Sequence, residues 1–372
     1  MRGVGSQPLE RLEALLAERY QADRVVLTGS GTEALTLALR HSVPEGDTPV
    51  VALPAYACFD LVSAAVGADA RIVFYDVDPP TLGPDAESLA TACRLKPDAV
   101  VVAPLYGIPV DWDMVREIVT PCGALLVEDA AQGLGATWKG RPLGSLGNVS
   151  VLSFGRGKGW TGGTGGALLE RAPSRPIRLG LQEPDGVTSV AVRAVAQWVL
   201  GRPSMYGLPS ALPWLALGET VYHPPHEPRA MPALAASVVL VHELEALRES
   251  ETRKRNAENW LGRLDRSAAA GVLIPIRVPD GAEPGYLRLP LLTPGGIASL
   301  PQSSQARGWG IMPGYPRPLP EVPASRTRTL QGPATPGAKR LVVELLTLPT
   351  HGLLARKDRS PIVQTLGDLQ RG

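Results

Sequence analysis

Residues 98–130 read DAVVVAPLYGIPVDWDMVREIVTPCGALLVEDA and carry the alternation that decides the fold. The two ends, DAVVVAPLYG and ALLVEDA, are apolar runs, whereas DWDMVREIV between them has the spacing of an amphipathic helix. Strands that are apolar throughout belong to sheets covered on both faces, and a helix between two of them is typical of a parallel crossover. This stretch therefore predicts a strand–helix–strand unit of a parallel sheet.

The same alternation continues on both sides of this unit. Upstream, RVVLT, PVVALP and ARIVFYDVD have the pattern of strands, and TEALTLALR, residues 59–66 and DAESLATAC that of helices. An amphipathic helix over residues 9–20 precedes them, and the strand-like run VSVLSF follows the unit. The N-terminal half is therefore expected to form an α/β fold whose mostly parallel sheet is flanked by helices.

The regular alternation ends near residue 170. Residues 172–228 are rich in proline and carry no clear pattern. Two helical stretches follow, ALAASVVLVHELEAL and ESETRKRNAENWLGRL, and short apolar runs separated by Pro and Gly turns occupy residues 271–320. These patterns predict a smaller C-terminal α+β domain.

Composition narrows the class of protein. The chain has 372 residues, 37 Lys and Arg against 36 Asp and Glu, and a formal net charge of +1. That balance argues against binding driven by the phosphate backbone of a nucleic acid. The three cysteines form no CxxC pair, and no apolar run approaches the length of a membrane span. These features predict a soluble, cytoplasmic protein.

A glycine turn, LTGSGTEALTLAL, joins the first strand to the next helix. The turn consists of Gly29, Ser30, Gly31 and Thr32, and backbone amides at a helix N-terminus form a ready anion site. The loose G-x-G-x-x-A pattern of dinucleotide sites is also satisfied, but the second strand ends in Pro54 rather than in an acidic residue. The turn therefore favours a single phosphate over a pyrophosphate. A tight turn capped by Thr32 is the alternative without a ligand.

The strand LLVED ends in two adjacent carboxylates, Glu128 and Asp129. Neighbouring residues of a strand face opposite ways, so only one of them can face a site at the carboxyl edge of the sheet. A buried carboxylate needs a cationic partner, and a protonated pyridine nitrogen would serve, as in pyridoxal phosphate enzymes. A metal site, a helix cap and a salt bridge remain alternatives.

Lys158 lies among glycines in SFGRGKGW, residues 153–160. The stretch does not satisfy G-x-x-x-x-G-K-[ST], because Leu152 and Gly159 occupy the two ends of that pattern. A solvated loop lysine is the default for a lone lysine. The apolar run before it and the glycine-rich GGTGGALL after it favour instead a lysine held near a cofactor aldehyde, where its amine can form a Schiff base.

Several of these stretches occur together in one known family. GSGTEALTLAL, DVDPPT, VEDAAQGLGA, SFGRGK, GGTGGALL, RKRNAENW and LPTHGLL follow one another in the order typical of the DegT/DnrJ/EryC1/StrS aminotransferases. The chain resembles this family of fold-type-I pyridoxal 5′-phosphate (PLP) enzymes from near its N-terminus to about residue 355. The resemblance is strong up to residue 170 and patchy beyond it.

The resemblance implies a fold and a set of roles. The fold would be an α/β fold-type-I PLP transferase with a seven-stranded, mostly parallel sheet. Lys158 would be the Schiff-base lysine and the base that moves the substrate proton, and Asp129 would pair with the pyridine nitrogen. Gln132 would lie by the phenolic oxygen of the cofactor. The phosphate would be held by the amides of Gly31 and Thr32 and by the hydroxyl of Ser153.

The sequence departs from the family's pattern at several positions. The residue that usually stacks an aromatic ring on the cofactor is Cys58 here, and Tyr56 or Phe59 would have to take its place. Ordinary core packing is the alternative for both aromatic residues. The asparagine that many members donate to the partner's phosphate site has no counterpart, since the comparable stretch offers Glu227.

The resemblance implies an aminotransferase that moves an amino group from glutamate or glutamine to a keto acceptor. The acceptor would be a keto sugar nucleotide or a related biosynthetic intermediate, and the enzyme a homodimer. Residues 1–235 would form the large PLP-binding domain and residues 236–372 the small domain. The alternatives are another PLP-dependent reaction, such as dehydration or elimination, and a non-catalytic regulatory homologue.

Overall fold

A computed structural model describes residues 7–171, 180–186, 221–265, 273–300 and 303–353. Helices and strands alternate up to residue 129, as the sequence predicts, and four further strands follow. In chain order they are α1 (Gln7–Tyr20), β1 (Arg24–Thr28), α2 (Gly31–Arg40), β2 (Val50–Pro54), α3 (Asp60–Gly67), β3 (Arg71–Tyr75), α4 (Ala86–Arg94), β4 (Ala99–Val102), α5 (Trp112–Val119), β5 (Leu125–Asp129), β6 (Thr137–Trp138), β7 (Arg141–Pro142), β8 (Val149–Ser153) and β9 (Gly166–Glu170).

Seven of these strands form one sheet in the order β1-β9-β8-β5-β4-β2-β3. Every neighbouring pair is parallel except the two that involve β9, which runs antiparallel to β8 and to β1. The predicted seven-stranded, mostly parallel sheet is therefore confirmed. The interior strand β4 is buried at all four of its residues, as the apolar run requires. Because six strands share one direction, their carboxyl ends meet at one edge of the sheet.

The C-terminal region carries a second, smaller sheet. Its elements are α6 (Ala233–Val241), α7 (Glu243–Asp265), β10 (Ile274–Pro275), β11 (Ala282–Glu283), β12 (Leu289–Leu292), α8 (Ser303–Ala306), β13 (Met312–Pro313), α9 (Pro323–Arg326), α10 (Pro336–Glu344) and β14 (Leu345–Leu348). Four strands pair antiparallel in the order β10-β12-β14-β13. This arrangement agrees with the expected α+β character of the region.

The two sheets share a hydrophobic cluster, and a third, short sheet joins the two halves of the chain. One hydrophobic cluster of buried side chains includes Val127 of the large sheet and Leu346 of the small one. In addition, β11 pairs antiparallel with β6, so a strand from the C-terminal region joins a short sheet built in the N-terminal half. The division at residue 235 stays a prediction, but the contacts hold the C-terminal sheet against the large one.

The boundary between α6 and α7 differs from the prediction. The sequence places the division after about residue 247, whereas the structure ends α6 at Val241 and begins α7 at Glu243. His242 terminates α6: its backbone N–H donates to the Val238 carbonyl at 3.1 Å, and its Nδ1 lies 2.9 Å from the same oxygen. Among the helices of the described ranges, none combines the length and apolar character needed to cross a bilayer.

Candidate active site

A cleft lies at the carboxyl edge of the large sheet, between the ends of β5 and β8 and the start of α2. It encloses about 470 Å³ of empty space, part of it open to solvent. Six of the eight predicted site residues line this cleft: Gly31, Thr32, Asp129, Gln132, Ser153 and Lys158. Residues from three separate parts of the sequence thus meet in one cavity, at the edge where open α/β sheets bind ligands.

The end of the cleft at α2 has the features of an anion site. The helix begins at Gly31, so its first N–H groups have no carbonyl partner one turn earlier in the helix. A Cβ atom at position 31 would lie 2.8 Å from the Cβ of Ser153, so glycine is needed for this close approach. The helix dipole and the Ser153 hydroxyl both favour a bound anion here.

The cap of α2 is Ser30, not Thr32 as the sequence alternative has it. The Ser30 hydroxyl oxygen accepts a hydrogen bond from the Glu33 N–H at 3.2 Å. The Ser30 backbone is extended, with φ −159° and ψ 164°, as an N-cap residue requires. Thr32 is instead the second helical residue and its hydroxyl is not needed for capping.

The two carboxylates at the end of β5 face opposite ways, as the strand geometry predicts. Glu128 is fully buried. It accepts four hydrogen bonds, from the N–H groups of Gly144, Leu146 and Gly147 and from the Ser150 hydroxyl, at 2.7–3.3 Å. Burial raises the pKa of Glu128, and these donors act in the opposite direction. Glu128 therefore organises the turn after β7 rather than the cleft.

Replacing Glu128 with Gln is expected to lower the free energy of unfolding by about 2–3 kcal/mol. The amide NH2 would face backbone N–H groups that need an acceptor, and at least one buried donor would be left unpaired. Urea denaturation checks this prediction. Glu245→Gln, an exposed glutamate on α7, is the matched control and should change stability by less than about 0.5 kcal/mol. Equal stability of Glu128→Gln and the wild type would contradict the assignment.

Asp129 is the carboxylate that lines the cleft. Its Oδ1 accepts a hydrogen bond from the Ala131 N–H at 3.0 Å, which orients the side chain. Burial raises the pKa of Asp129, whereas the positive charge of Lys158 acts to lower it. A cationic group bound beside Asp129 would stabilise its ionised form further. Asp129 is thus suited to hold a positively charged ring nitrogen.

Lys158 lies in the loop after β8, half-buried at the cleft. The glycines on either side, Gly157 and Gly159, have φ values of 79° and 84°, in the left-handed region that favours glycine. The loop is anchored by Trp160, whose indole N–H donates to the Val239 carbonyl at 2.8 Å and whose ring packs edge-on against Phe154 at 5.4 Å. The glycines make the turn, and the buried tryptophan fixes its position.

Gln132 is held at both ends of its carboxamide. Its Oε1 accepts a hydrogen bond from the Tyr106 N–H at 2.7 Å, and its Nε2 donates to the Tyr315 hydroxyl oxygen at 2.9 Å. Tyr315 follows β13 of the C-terminal sheet, so this contact joins the two halves of the chain. Sequence reasoning missed Tyr315, because a tyrosine between glycine and proline carries no pattern that marks a site.

Tyr56 and Phe59 are not among the described residues that line the cleft, and a stacking role for either stays a prediction. The chain bends after β2, so that Tyr56 and Phe59 turn into the core, where they are 1% and 4% exposed. The Tyr56 hydroxyl accepts a hydrogen bond from the Tyr315 N–H at 2.7 Å. Cys58 lines the cleft instead.

Asp60 lines the cleft and was also missed by sequence reasoning. It begins α3 and lines the cleft beside Cys58, whose thiol donates to Asp60 Oδ2 at 3.3 Å. Burial raises the pKa of Cys58 to about 12, so the thiol is neutral at physiological pH. The wall that carries an aromatic ring in the family is therefore a neutral thiol followed by a carboxylate. The aspartate in the first turn of a predicted helix was the available signal.

Comparison with known proteins agrees with the motifs. Residues 5–179 match the model of the DegT/DnrJ/EryC1/StrS aminotransferase family, so the resemblance is confirmed for this part of the chain. A crystal structure of an aminotransferase of this family from Brucella abortus superposes with a TM-score of 0.74 and 20% sequence identity. It covers 100% of this chain and 92% of that one, which confirms the fold.

Two curated relatives each match about half of the chain. An L-glutamine:2-deoxy-scyllo-inosose aminotransferase of Streptomyces kanamyceticus is 34% identical over 50% of this chain and 43% of its own length. A dTDP-3-amino-3,4,6-trideoxy-alpha-D-glucose transaminase of Streptomyces venezuelae is 37% identical over 46% of this chain and 45% of its own length. The chain thus matches less than half the length of these relatives.

Proposed function

We propose that this chain, whose residues 5–179 match the DegT/DnrJ/EryC1/StrS aminotransferase family, is a PLP-dependent aminotransferase. It would move an amino group from glutamate or glutamine to the keto group of a sugar nucleotide or a related biosynthetic intermediate. The observation that carries this proposal is that Lys158 and Asp129 line one cleft together with Ser153 and the first residues of α2.

The residues of the cleft fit the cofactor. Asp129 is a half-buried carboxylate that a pyridinium nitrogen would neutralise, and the Lys158 amine is near enough to act on its pKa. The start of α2 and the Ser153 hydroxyl offer donors for a phosphate at the same cavity. The face usually covered by an aromatic ring is the one exception, since Cys58 gives less contact area than a ring.

When bound, PLP supplies an aldehyde that condenses with amines and a ring that accepts electrons from the adjacent carbon. Asp129 would keep the ring nitrogen protonated, which strengthens that electron withdrawal. The Lys158 Nζ would hold the cofactor through its aldehyde and would be the base that moves the substrate proton. Gln132 would donate a hydrogen bond to the phenolic oxygen.

The acceptor class is supported by the curated relatives, whose names describe transaminases of an aminocyclitol precursor and of a dTDP-linked sugar. We further propose a homodimer, with residues 1–235 as the large domain and residues 236–372 as the small one. Val241 and Leu244 at the junction of α6 and α7 are 79% and 66% exposed, and a second copy would cover such apolar side chains. The proposed location is the cytoplasm.

The test is a half-reaction of the purified, PLP-loaded protein with L-glutamine or L-glutamate. We expect the visible absorbance of the bound cofactor to disappear as its aldehyde form becomes the amine form, with one equivalent of the keto product of the donor. L-Alanine is a comparison donor. Release of ammonia or water without amine transfer would favour elimination or dehydration, and a folded protein that binds no PLP would favour the regulatory alternative.

A further inference from the structure

The orientation of the Gln132 carboxamide is determined by its two partners. A backbone N–H can only donate, so the atom that faces the Tyr106 N–H at 2.7 Å must be the carboxamide oxygen. The amide nitrogen then faces Tyr315 and donates one of its two hydrogens to that hydroxyl at 2.9 Å. The second N–H has no acceptor among the described residues and is left for a ligand of the cleft.

Tyr315 is itself held in place by the N-terminal half. Its backbone N–H donates to the Tyr56 hydroxyl at 2.7 Å, and its ring packs edge-on against the Tyr56 ring at 5.5 Å. The ring of Tyr106 lies nearly parallel to it, at 6.2 Å and 20°. A Cβ atom at position 314 would lie 1.9 Å from the Tyr56 hydroxyl oxygen, so only glycine permits this approach.

The hydroxyl of Tyr315 is neutral and buried. The residue is 9% exposed, and burial raises the pKa of Tyr315 well above its usual range. The hydroxyl therefore remains a hydrogen-bond partner of the carboxamide throughout the physiological pH range. Gln132 follows β5 of the large sheet, whereas Tyr315 follows β13, so the contact spans a sequence separation of 183 residues.

We propose that Tyr315 is a positioning residue, which holds the Gln132 carboxamide in the orientation that donates to the phenolic oxygen of the cofactor. The C-terminal sheet would thereby set the proton affinity of the lysine–cofactor linkage built on the N-terminal sheet. This inference rests on the proposed function. A hydrogen bond to the phenolic oxygen favours its ionised form, so it lowers the pH at which the linkage loses its proton.

The experiment is a pH titration of the visible absorbance of the PLP-loaded protein. Tyr315→Phe keeps the ring and removes only the hydroxyl, and we expect the midpoint to rise by about 0.5–1 pH unit. Gln132→Leu should raise it at least as far, and adding Tyr315→Phe to Gln132→Leu should cause no further shift. Tyr75→Phe is the matched control, because it also removes a buried hydroxyl, one that donates to the Val101 carbonyl at 2.7 Å.

The titration distinguishes failure of the positioning role of Tyr315 from failure of the proposed function. Equal midpoints for the wild type, Tyr75→Phe and Tyr315→Phe would overturn the positioning role while leaving the proposed function intact. Additive shifts in the double variant would show that Tyr315 does not act through Gln132, which also overturns it. A folded wild-type protein without a cofactor band would overturn the proposed function and this inference with it.

Discussion

Replacing Lys158 with Ala is expected to abolish the covalent attachment of PLP and to lower transaminase activity by at least about 10⁴-fold. The side chain would supply both the amine that binds the aldehyde and the base that moves the substrate proton, so no step of the cycle would retain its catalyst. Lys158 is half-buried in the cleft, in a loop that Trp160 holds in place. Among the described residues no other lysine lines the cleft, so none could replace it. Steady-state kinetics and the absorbance spectrum of the loaded protein measure the two effects.

A second variant of Lys158 distinguishes the role of its amine from that of its positive charge, and a variant of a surface lysine is the control. Lys158→Arg keeps a positive charge near Asp129, but its guanidinium stays protonated and forms no imine, so it should be as inactive as the alanine variant. Lys139→Ala removes an exposed lysine that pairs with Asp113 on the surface, and it should leave the activity unchanged. Near-wild-type activity in Lys158→Ala would refute the role proposed for this residue.

Replacing Asp129 with Asn is expected to lower kcat/KM by about 10²- to 10⁴-fold, because breaking an ion pair in the cleft costs about 3–5 kcal/mol. The asparagine oxygen can still accept the Ala131 N–H, so the fold of the turn should be kept. What is lost is the negative charge that would hold the ring nitrogen protonated. The same variant should bind PLP more weakly.

Asp98→Asn is the matched control for this variant. Asp98 lies at the opposite edge of the same sheet, where its Oδ2 accepts a hydrogen bond from the Val50 N–H at 2.7 Å. The chemical change is identical, but it is remote from the cleft, so kcat/KM should not change although stability can fall. If both variants lose the same activity, the effect at Asp129 is structural and the pyridinium assignment fails.

The large sheet was predictable because local pattern and tertiary burial agree there. Strands such as AVVV in β4 are apolar at every residue, and the helices between them have one apolar face. The division of α6 from α7 at His242 was not predictable, because Leu244 and Leu247 continue the helical spacing of apolar residues past it and propensity does not mark the break. The C-terminal sheet has two-residue strands, which are too short for a periodicity to identify.

The sequence predicts the residues of the site that belong to a motif, but not those that tertiary packing places beside it. Asp129, Ser153 and Lys158 end strands or follow them, so the topology alone brings them to one edge. Tyr56 turns into the core at the bend after β2, which no local sequence pattern marks. Tyr315 reaches Gln132 only because the C-terminal sheet docks on the large one, and no local pattern encodes a contact of that separation.

An imine between Lys158 and PLP can be trapped by borohydride reduction of the loaded protein and located by peptide mass spectrometry. Reduction converts the linkage to a stable amine, and we expect the pyridoxyl group on the peptide containing SFGRGKGW, at Lys158. Labelling at another lysine, or no labelling of a folded protein saturated with PLP, would contradict it.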